Sequence, residues 1–275
     1  MTTKINHVAM MSTNYAMLGR FYEVLFGMKS PKVSRPESAV TVGDGYVGLN
    51  INPRRPGRPG GLDHFGVEVE DIHKVLDRMD RNFPKIKTLR RPSNRPFAGI
   101  TTHDPDGNIF DLSHVDKNNK KDIYTQGEWH QDRYISHFAI RTLNPEKCAE
   151  FYCDILDLKL VNRHGNDDNF YITDGRMNIV LAQWDITNYA NTGIARSGPD
   201  HFAFKVENLK LLSGDYELKS IQISDAAKQE SQEIINDLII AAYNNAKENL
   251  KKKSAEELSK VTGGLNLPPD FKLPF

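Results

Sequence analysis

The sequence has few of the features that mark secreted, membrane-bound or strongly nucleic-acid-binding proteins. Only two of its 275 residues are cysteines, Cys148 and Cys153, and their five-residue spacing does not match a metal knuckle. So few thiols in a chain of this length are typical of a reducing cytoplasm. Basic and acidic residues both total 36, so no net positive charge indicates a nucleic-acid partner. No segment is apolar enough for a signal peptide or a membrane span, so we expect a cytoplasmic protein without a membrane partner.

What the sequence does contain is an internal repeat, and this repeat indicates the architecture. The segment DHFGVEV, with His64, returns as DHFAFKV with His201. The segment INHVAM, with His7, returns 130 residues later as ISHFAI with His137. Phe-Tyr and Asp-Gly pairs recur at the same spacing of 130, so one register relates two halves of the chain. The two DHF segments lie 137 residues apart, so about seven residues are inserted in the second half, and we expect them in the loop QWDITNYANTGIARSG.

Hydrophobic periodicity predicts that each half is built from βαβββ units. The first unit has a strand at 4–10, an amphipathic helix at 14–27 and short strands around SAVTVG and YVGLNIN. The order returns with a strand at 63–69, a helix at 71–83 and strands near KIKTLRR, AGITTH and IFDLSH. A third unit spans 133–183, whereas the fourth begins with DHFAFKV and has no continuation. We therefore expect the α+β class, with three complete βαβββ units and a truncated fourth.

The character of the chain changes after the DHFAFKV strand. The segment KLLSGDYELKSIQIS predicts a β-hairpin with Gly214-Asp215 at the turn. A long amphipathic helix is predicted next, from about Asp225 to Lys260. The sequence thus divides into a two-unit domain at 1–117, a linker at 118–131, a truncated second domain at 132–208 and a tail at 209–275.

The βαβββ units, the HVAM and DHFGVEV strands and the string DPDGNIFDL resemble the vicinal oxygen chelate superfamily. Its members include glyoxalase I, extradiol dioxygenases and bleomycin-resistance proteins, and the resemblance covers about residues 1–208. It implies that paired units form a half-barrel whose inner face binds a divalent metal through two histidines and a carboxylate. Matched by motif, the ligands would be His7, His64 and Asp111, with aspartate where the family more often has glutamate.

Such a ligand set suits a particular chemistry. Two imidazoles and a carboxylate leave coordination positions for a substrate with vicinal oxygens, and they suit Fe(II), with Mn(II), Ni(II) or Zn(II) as alternatives. Ring-cleaving dioxygenation and glyoxalase-like isomerisation are the reactions that the resemblance implies, and metal-free small-molecule binding stays open. A structural interpretation is also open, because a lone strand histidine is usually a hydrogen-bonded structural residue and DPDGN is first of all a turn.

Four other residues are further candidates. His137 and His201 repeat the histidine pair, but no DPDGN-acid segment follows them, so a second site would lack its carboxylate. His103, directly before the DPDGN turn, is a candidate acid–base residue, with simple solvent exposure as the alternative. Tyr46 is a candidate for lining the half-barrel and acting in catalysis.

The tail resembles a different family. The strings DLIIAAYNNAKENLKKK and LPPDFKLPF, joined by a Gly-Gly-Leu step, are similar to the C-terminal part of the YbaB/EbfC nucleoid-associated DNA-binding proteins. The resemblance implies DNA as a partner, a nucleoid location and a homodimer, although the family's first helix and first strand have no counterpart here. Candidate phosphate-binding residues are Lys247, Lys251, Lys252, Lys253 and Lys260. Interleaved glutamates leave a solvated helix face as the alternative.

Overall fold

A computed structural model describes most of the first 207 residues and short parts of the tail. The described ranges are 2–30, 39–92, 97–115, 131–161, 167–192, 196–207, 227–229, 234–235, 239–246, 248–249 and 252. The chain divides into two compact units, Met1–Glu207 and Asn208–Phe275. None of the helices in these ranges is long and apolar enough to cross a membrane.

Strands and helices of the first half follow the predicted order. They are β1 (Thr3–Ser12), α1 (Tyr15–Phe26), β2 (Val40–Gly43), β3 (Gly48–Pro53), β4 (Gly61–Val69), α2 (Ile72–Asn82), β5 (Leu89–Arg90), β6 (Ile100–His103) and β7 (Ile109–His114). These strands form one sheet in the order β2-β3-β1-β4-β7-β6-β5. Helix α1 ends at Gly27, whose φ of 68° is the left-handed conformation typical of a C-terminal cap.

The second half repeats this arrangement as far as the chain allows. Its elements are β8 (Tyr134–Thr142), α3 (Pro145–Leu156), β9 (Lys159–Val161), β10 (Phe170–Thr173), β11 (Asn178–Gln183), α4 (Ile186–Thr192) and β12 (Gly198–Lys205). Its sheet has the order β12-β8-β11-β10-β9. Even the register is repeated, because His7 lies opposite Gly48 in the first half and His137 opposite Asn178 in the second. The α+β class with tandem units is therefore confirmed.

Four details differ from the sequence expectation or lie beyond it. Helix α4 lies in a segment predicted to be an irregular loop. The βαβββ order requires three strands after α1, and two of them are β2 and β3. At the place of the other, directly after α1, the described residues show an isolated bridge between Lys29 and Gly43. Residues 31–38 lie outside the described residues. The hairpin predicted at 209–223 also lies outside the described residues. Among the described strands β12 pairs with β8 alone, whereas its equivalent β4 lies between β1 and β7.

The two halves share one apolar core, in which a helix of each half packs against a sheet of the other. Tyr152 of α3 lies 5.8 Å from Phe65 of β4, measured between ring centroids. Tyr22 of α1 lies at the same distance from Phe202 of β12. Burying an aromatic or aliphatic side chain of this size contributes about 1.5–3 kcal/mol, so these reciprocal contacts stabilise the pairing of the halves.

Two equivalent turns also connect the halves. The carboxylate of Asp174 accepts a hydrogen bond from the backbone N–H of Ile5 at 2.7 Å, and that of Asp44 accepts one from Ile135 at 2.8 Å. Each turn therefore holds the first strand of the opposite half. This reciprocal pair keeps β1, the strand that carries His7, in a defined position.

Candidate metal centre

Strand pairing brings His7, His64 and Asp111 together. In β4 the side chains alternate, so that Phe65 is buried in the core and His64 lies on the opposite face. In the sheet, Gly66 lies between the other two positions, opposite His7 of β1 on one side and opposite Asp111 of β7 on the other. We call the sheet face that carries these three side chains the inner face.

A β-bulge turns His7 onto the inner face. The register of β1 against β4 shifts between Ile5 and His7, which leaves Asn6 as the extra residue. Because of this extra residue, Ile5 and Val8 both pack in the apolar core although they are three positions apart. The second half has an equivalent bulge. Ser136 of β8 is the extra residue there, because the register against β12 shifts between Ala203 and Phe204.

The imidazole of His7 lies directly over the backbone of Gly66. A Cβ atom at this position would lie 1.9 Å from Cε1 of His7, a distance that no pair of non-bonded carbon atoms adopts. Only glycine therefore allows His7 to cross β4 and approach Asp111, a use of glycine that depends on its missing side chain.

The distances between the three side chains fit a single divalent cation. One ligand atom of each residue lies within 4.8 Å of the other two. Nε2 of His64 is 3.2 Å and Nε2 of His7 is 4.0 Å from Oδ2 of Asp111. Metal–ligand bonds of about 2.0–2.2 Å place adjacent donor atoms about 3 to 4 Å apart, which agrees with these separations. All three side chains are buried: His7 is 1 % exposed, His64 is 7 % exposed and Asp111 is 3 % exposed.

The residue before each histidine orients its ring. Nδ1 of His7 lies 2.8 Å from Oδ1 of Asn6, and Nδ1 of His64 lies 2.5 Å from Oδ1 of Asp63. Since an amide or carboxylate oxygen accepts only from a protonated nitrogen, these contacts place the hydrogen on Nδ1 of each ring. Nε2, the nitrogen directed at Asp111, is then the atom that would bind a metal, in the manner of ligands held by outer hydrogen bonds.

Asp111 is ionised by its surroundings. Its Oδ1 accepts a hydrogen bond from the hydroxyl of Thr101 at 2.5 Å. Burial raises the pKa of Asp111, but the hydrogen bond and charge of His64, with smaller effects of His7 and Thr101, lower that pKa to about 2. Burial likewise lowers the pKa of His64, and the hydrogen bonds and charges of Asp111 and Asp63 outweigh it and raise that pKa to about 9. The site thus has a strong preference for positive charge.

Several of these supporting residues were not found by sequence reasoning. The missed residues are Asn6, Asp63, Gly66 and Thr101. A signal was present for the first two, because a polar residue directly precedes all four repeated histidines, namely Asn6, Asp63, Ser136 and Asp200. The roles of Gly66 and Thr101 depend on pairing between strands, which a single sequence does not show.

The second histidine pair has a similar geometry without a carboxylate. Nε2 of His137 and Nε2 of His201 lie 3.1 Å apart. Oδ2 of Asp200 lies 3.3 Å from Nδ1 of His201 and pairs with Arg141, so it stands at the outer nitrogen of the ring. Among the described residues, the group of three side chains with metal-binding geometry is the one on the inner face of the first half. That the second site is incomplete stays a prediction.

Tyr46 lies at the contact between the halves. Its hydroxyl donates a hydrogen bond to Asp174 at 3.0 Å. The cations of Lys4 and Arg176 lie 4.4 and 4.5 Å from its ring centroid. These contacts give Tyr46 a structural role, and its catalytic role stays a prediction.

His103 uses both ring nitrogens in contacts with the backbone. Nδ1 lies 2.7 Å from the carbonyl oxygen of Asp104, and Nε2 accepts from the N–H of Lys87 at 3.5 Å. In this conformation the ring is a structural part of the turn before β7. Acid–base catalysis by His103 would require it to leave these contacts.

Most described positions of the tail are α-helical where the long helix was predicted, whereas Ala227–Gln229 form a short 3-10 helix. The α-helical positions include 239–246 and 248–249, and Lys252 is an exposed residue of the same stretch. Four of the candidate DNA-binding residues, Lys247, Lys251, Lys253 and Lys260, lie outside the described residues.

Comparison with known proteins confirms both resemblances. Residues 4–112 match the sequence model of the Glyoxalase/Bleomycin resistance protein/Dioxygenase superfamily. Residues 211–265 match that of the YbaB/EbfC DNA-binding family.

Solved structures with similar folds come from the first of these groups. The 2,3-dioxygenase LapB from Pseudomonas sp. KL28 is 16% identical, with a TM-score of 0.55 over 77% of this chain and 78% of that chain. A mutant of 4-hydroxymandelate synthase from Streptomyces coelicolor is 14% identical, with a TM-score of 0.55 over 77% and 74%. The Mn(II)-bound glyoxalase from Novosphingobium aromaticivorans is 13% identical, with a TM-score of 0.53 over 72% and 64%. Identities this low show a shared fold.

The curated relatives match the tail. A nucleoid-associated protein of Paramagnetospirillum magneticum is 52% identical over 65 residues, which are 23% of this chain and 61% of that protein. One from Rhodospirillum centenum is 48% identical over 66 residues, or 24% of this chain and 62% of that protein. The chain thus spans about three fifths of the length of these relatives. It joins a region with the fold of the glyoxalase and dioxygenase superfamily to a region that matches the YbaB/EbfC family.

Proposed function

We propose that the first half of the chain contains a divalent-metal centre formed by His7, His64 and Asp111. We propose that this centre catalyses a reaction of a small molecule with vicinal oxygens. The observation that carries this proposal is the convergence of three ligand atoms within 4.8 Å on one sheet face. Three ligands on three paired strands are held without ordering a loop, which is the arrangement expected of a functional metal site.

A divalent cation bound there would polarise the substrate oxygens and stabilise negative charge that develops on them. The chain's own residues would prepare this site. Asn6 and Asp63 hold the protons of the two imidazoles on Nδ1, and Thr101 holds one oxygen of the Asp111 carboxylate. The burial of all three ligands excludes water and strengthens each electrostatic interaction.

The reaction is of one of two types. Dioxygenase-like ring cleavage would use Fe(II), and glyoxalase-like isomerisation would use Mn(II), Ni(II) or Zn(II). Tandem units favour the dioxygenase-like reaction by analogy with the solved structures, which is an argument from fold alone. Metal-free binding of a small molecule is the alternative to both.

Metal analysis of the purified full-length protein tests this proposal. We expect a single Fe, Mn, Ni or Zn ion per chain in the unaltered protein and its loss in His64→Ala. His73→Ala, a matched change at an exposed histidine of α2, should leave the metal content unchanged. A metal content that is the same in His64→Ala as in the unaltered protein would refute the ligand set.

A second candidate function belongs to the tail. We infer sequence-neutral DNA binding, because 52% identity to a nucleoid-associated protein covers nearly all of the tail. Phosphate contacts by lysines would supply the affinity, and a homodimer in the nucleoid would follow if the tail keeps the dimer contacts of its relatives. A gel shift with mixed-sequence DNA over a salt series should show binding that weakens with salt and that is absent from a chain ending at Glu207. A shift retained by this shortened chain would exclude the tail as the DNA-binding element.

A further inference from the structure

Phe97 has a backbone conformation that is unusual for its residue type. Its φ is 63°, in the left-handed region that bulky residues rarely adopt. Among the described residues, Asp157 is the other non-glycine residue with positive φ, and there the conformation has an ordinary explanation because Asp157 is the C-terminal cap of α3. In the described part of the chain, the helix nearest before Phe97 is α2, which ends at Asn82. Strained residues of this kind persist where the surrounding structure requires them, often next to ligand sites.

The conformation brings the Phe97 ring against the metal-binding side chains. The residues just after it stay paired with β7, since the N–H of Gly99 donates to the carbonyl of Leu112 at 2.8 Å. The ring itself packs against the imidazole of His7, with 5.5 Å between centroids and 47° between planes. Phe97 is only 1 % exposed, so an apolar ring is enclosed beside a cluster of three ionisable groups.

We propose that Phe97 is a positioning residue of this centre, which packs His7 into place and restricts exchange of water and ligands at the bound cation. This inference rests on the proposed metal centre. His7 contacts Gly66 beneath it and Phe97 beside it, so its ring has little freedom to leave the cation. The apolar shell around a metal site controls how readily solvent reaches the ion. The strain at Phe97 is then the consequence of holding a ring where the sheet alone would not place it.

The test uses the full chain loaded with Mn(II), whose effect on water proton relaxation reports how many water molecules exchange at the ion. Phe97→Gly removes the ring and accepts the positive φ without strain, so it separates loss of the ring from damage to the fold. Phe97→Leu keeps an apolar side chain at the same place. Asp157→Gly is the matched control, since it makes the same change of backbone type away from the metal site.

We expect Phe97→Gly to release Mn(II) to a chelator roughly 10-fold faster and to enhance water relaxation. Phe97→Leu and Asp157→Gly should stay close to the unaltered protein in both measurements. The inference fails if Phe97→Gly behaves like the unaltered protein, or if Asp157→Gly accelerates release as much. Failure of the unaltered chain to bind Mn(II), Fe(II), Ni(II) or Zn(II) would instead refute the metal centre, and the role of Phe97 with it.

Discussion

The imidazole of His7 occupies the space that a side chain at position 66 would fill, and this single contact illustrates how the site depends on individual residues. Each of the three proposed ligands is oriented or accommodated by a neighbouring residue. Asn6 and Asp63 orient rings, Thr101 orients a carboxylate, and Gly66 provides room. None of these neighbours belongs to the proposed ligand set, so each can be changed while the three proposed donor residues remain in the sequence.

Gly66→Ala should displace His7 and weaken metal binding by about 10- to 100-fold, because the added Cβ would lie 1.9 Å from Cε1 of the ring. Titration with Mn(II) or Zn(II) measures the effect. Gly99→Ala is the control, since a Cβ there would meet the carbonyl oxygen of Leu112 at 3.5 Å, an ordinary contact. Equal affinities of the two variants would contradict the crossing of His7 over Gly66.

Asn6→Ala should lower metal affinity by about 10-fold, because Nδ1 of His7 would lose the acceptor that fixes its tautomer. Calorimetric titration compares this variant with Ser136→Ala, which makes the equivalent change before His137 in the second half. The Ser136 variant should bind metal as the unaltered protein does. A loss of the same size in both variants would show that the effect does not come from the orientation of His7.

At the scale of elements, the repeat explains why the halves stay together. Each half supplies a turn aspartate that holds the first strand of the other, and each supplies a helix that packs on the other's sheet. Asp44 also accepts from the N–H groups of Tyr46 and Val47, so three backbone donors share one buried carboxylate. Removing it leaves these donors without a partner in the interior.

Asp44→Ala should lower the free energy of unfolding by about 2 to 4 kcal/mol, measured by urea denaturation, because buried donors would be left unsatisfied. Asp71→Ala provides the comparison, since this exposed N-terminal cap of α2 accepts a hydrogen bond from the N–H of Lys74 at the protein surface. Its loss should be about 1 kcal/mol. Equal losses in the two variants would mean that Asp44 does not connect the halves.

At the scale of the whole molecule, the two candidate functions lie in separate compact units. The ligands and every neighbour assigned to them precede residue 208, and the match to nucleoid-associated proteins begins at residue 211. The second sheet meanwhile stops, among the described strands, at β12. The prediction of three complete units and a truncated fourth, followed by a tail that matches a different family, agrees with this arrangement.

A chain that ends at Glu207 should bind metal with unchanged affinity and stoichiometry, because all three proposed ligands lie in the compact unit Met1–Glu207. Conversely, full-length His64→Ala should bind DNA as the unaltered protein does. Metal analysis and gel shifts on the same preparations measure both properties. A shortened chain that folds but does not hold metal would show that the tail contributes to the centre.

Much of this organisation could be predicted from the sequence. The spacing of 130 between repeated segments indicated the tandem units, and alternation along DHFGVEV indicated a strand with a histidine near its start. Periodicity reports which side of a strand a residue occupies, so it identifies a shared face reliably. It carries no information on which strands are neighbours or on the conformation of single residues. Helix α4 was missed because its short segment, with two asparagines and two threonines, has weak helical preference.

The repeat and the alternation of the strands could be read from the chain alone, because they are periodic properties, and the resemblance of its motifs to a known superfamily supplied three candidate ligands. The three-dimensional structure was needed to show that His7 crosses over Gly66, that Thr101 contacts Asp111 and Phe97 contacts His7, and that Tyr46 contacts Asp174 of the other half. These facts depend on strand register and on a bulge at Asn6, which arise when segments distant in the chain pair with each other.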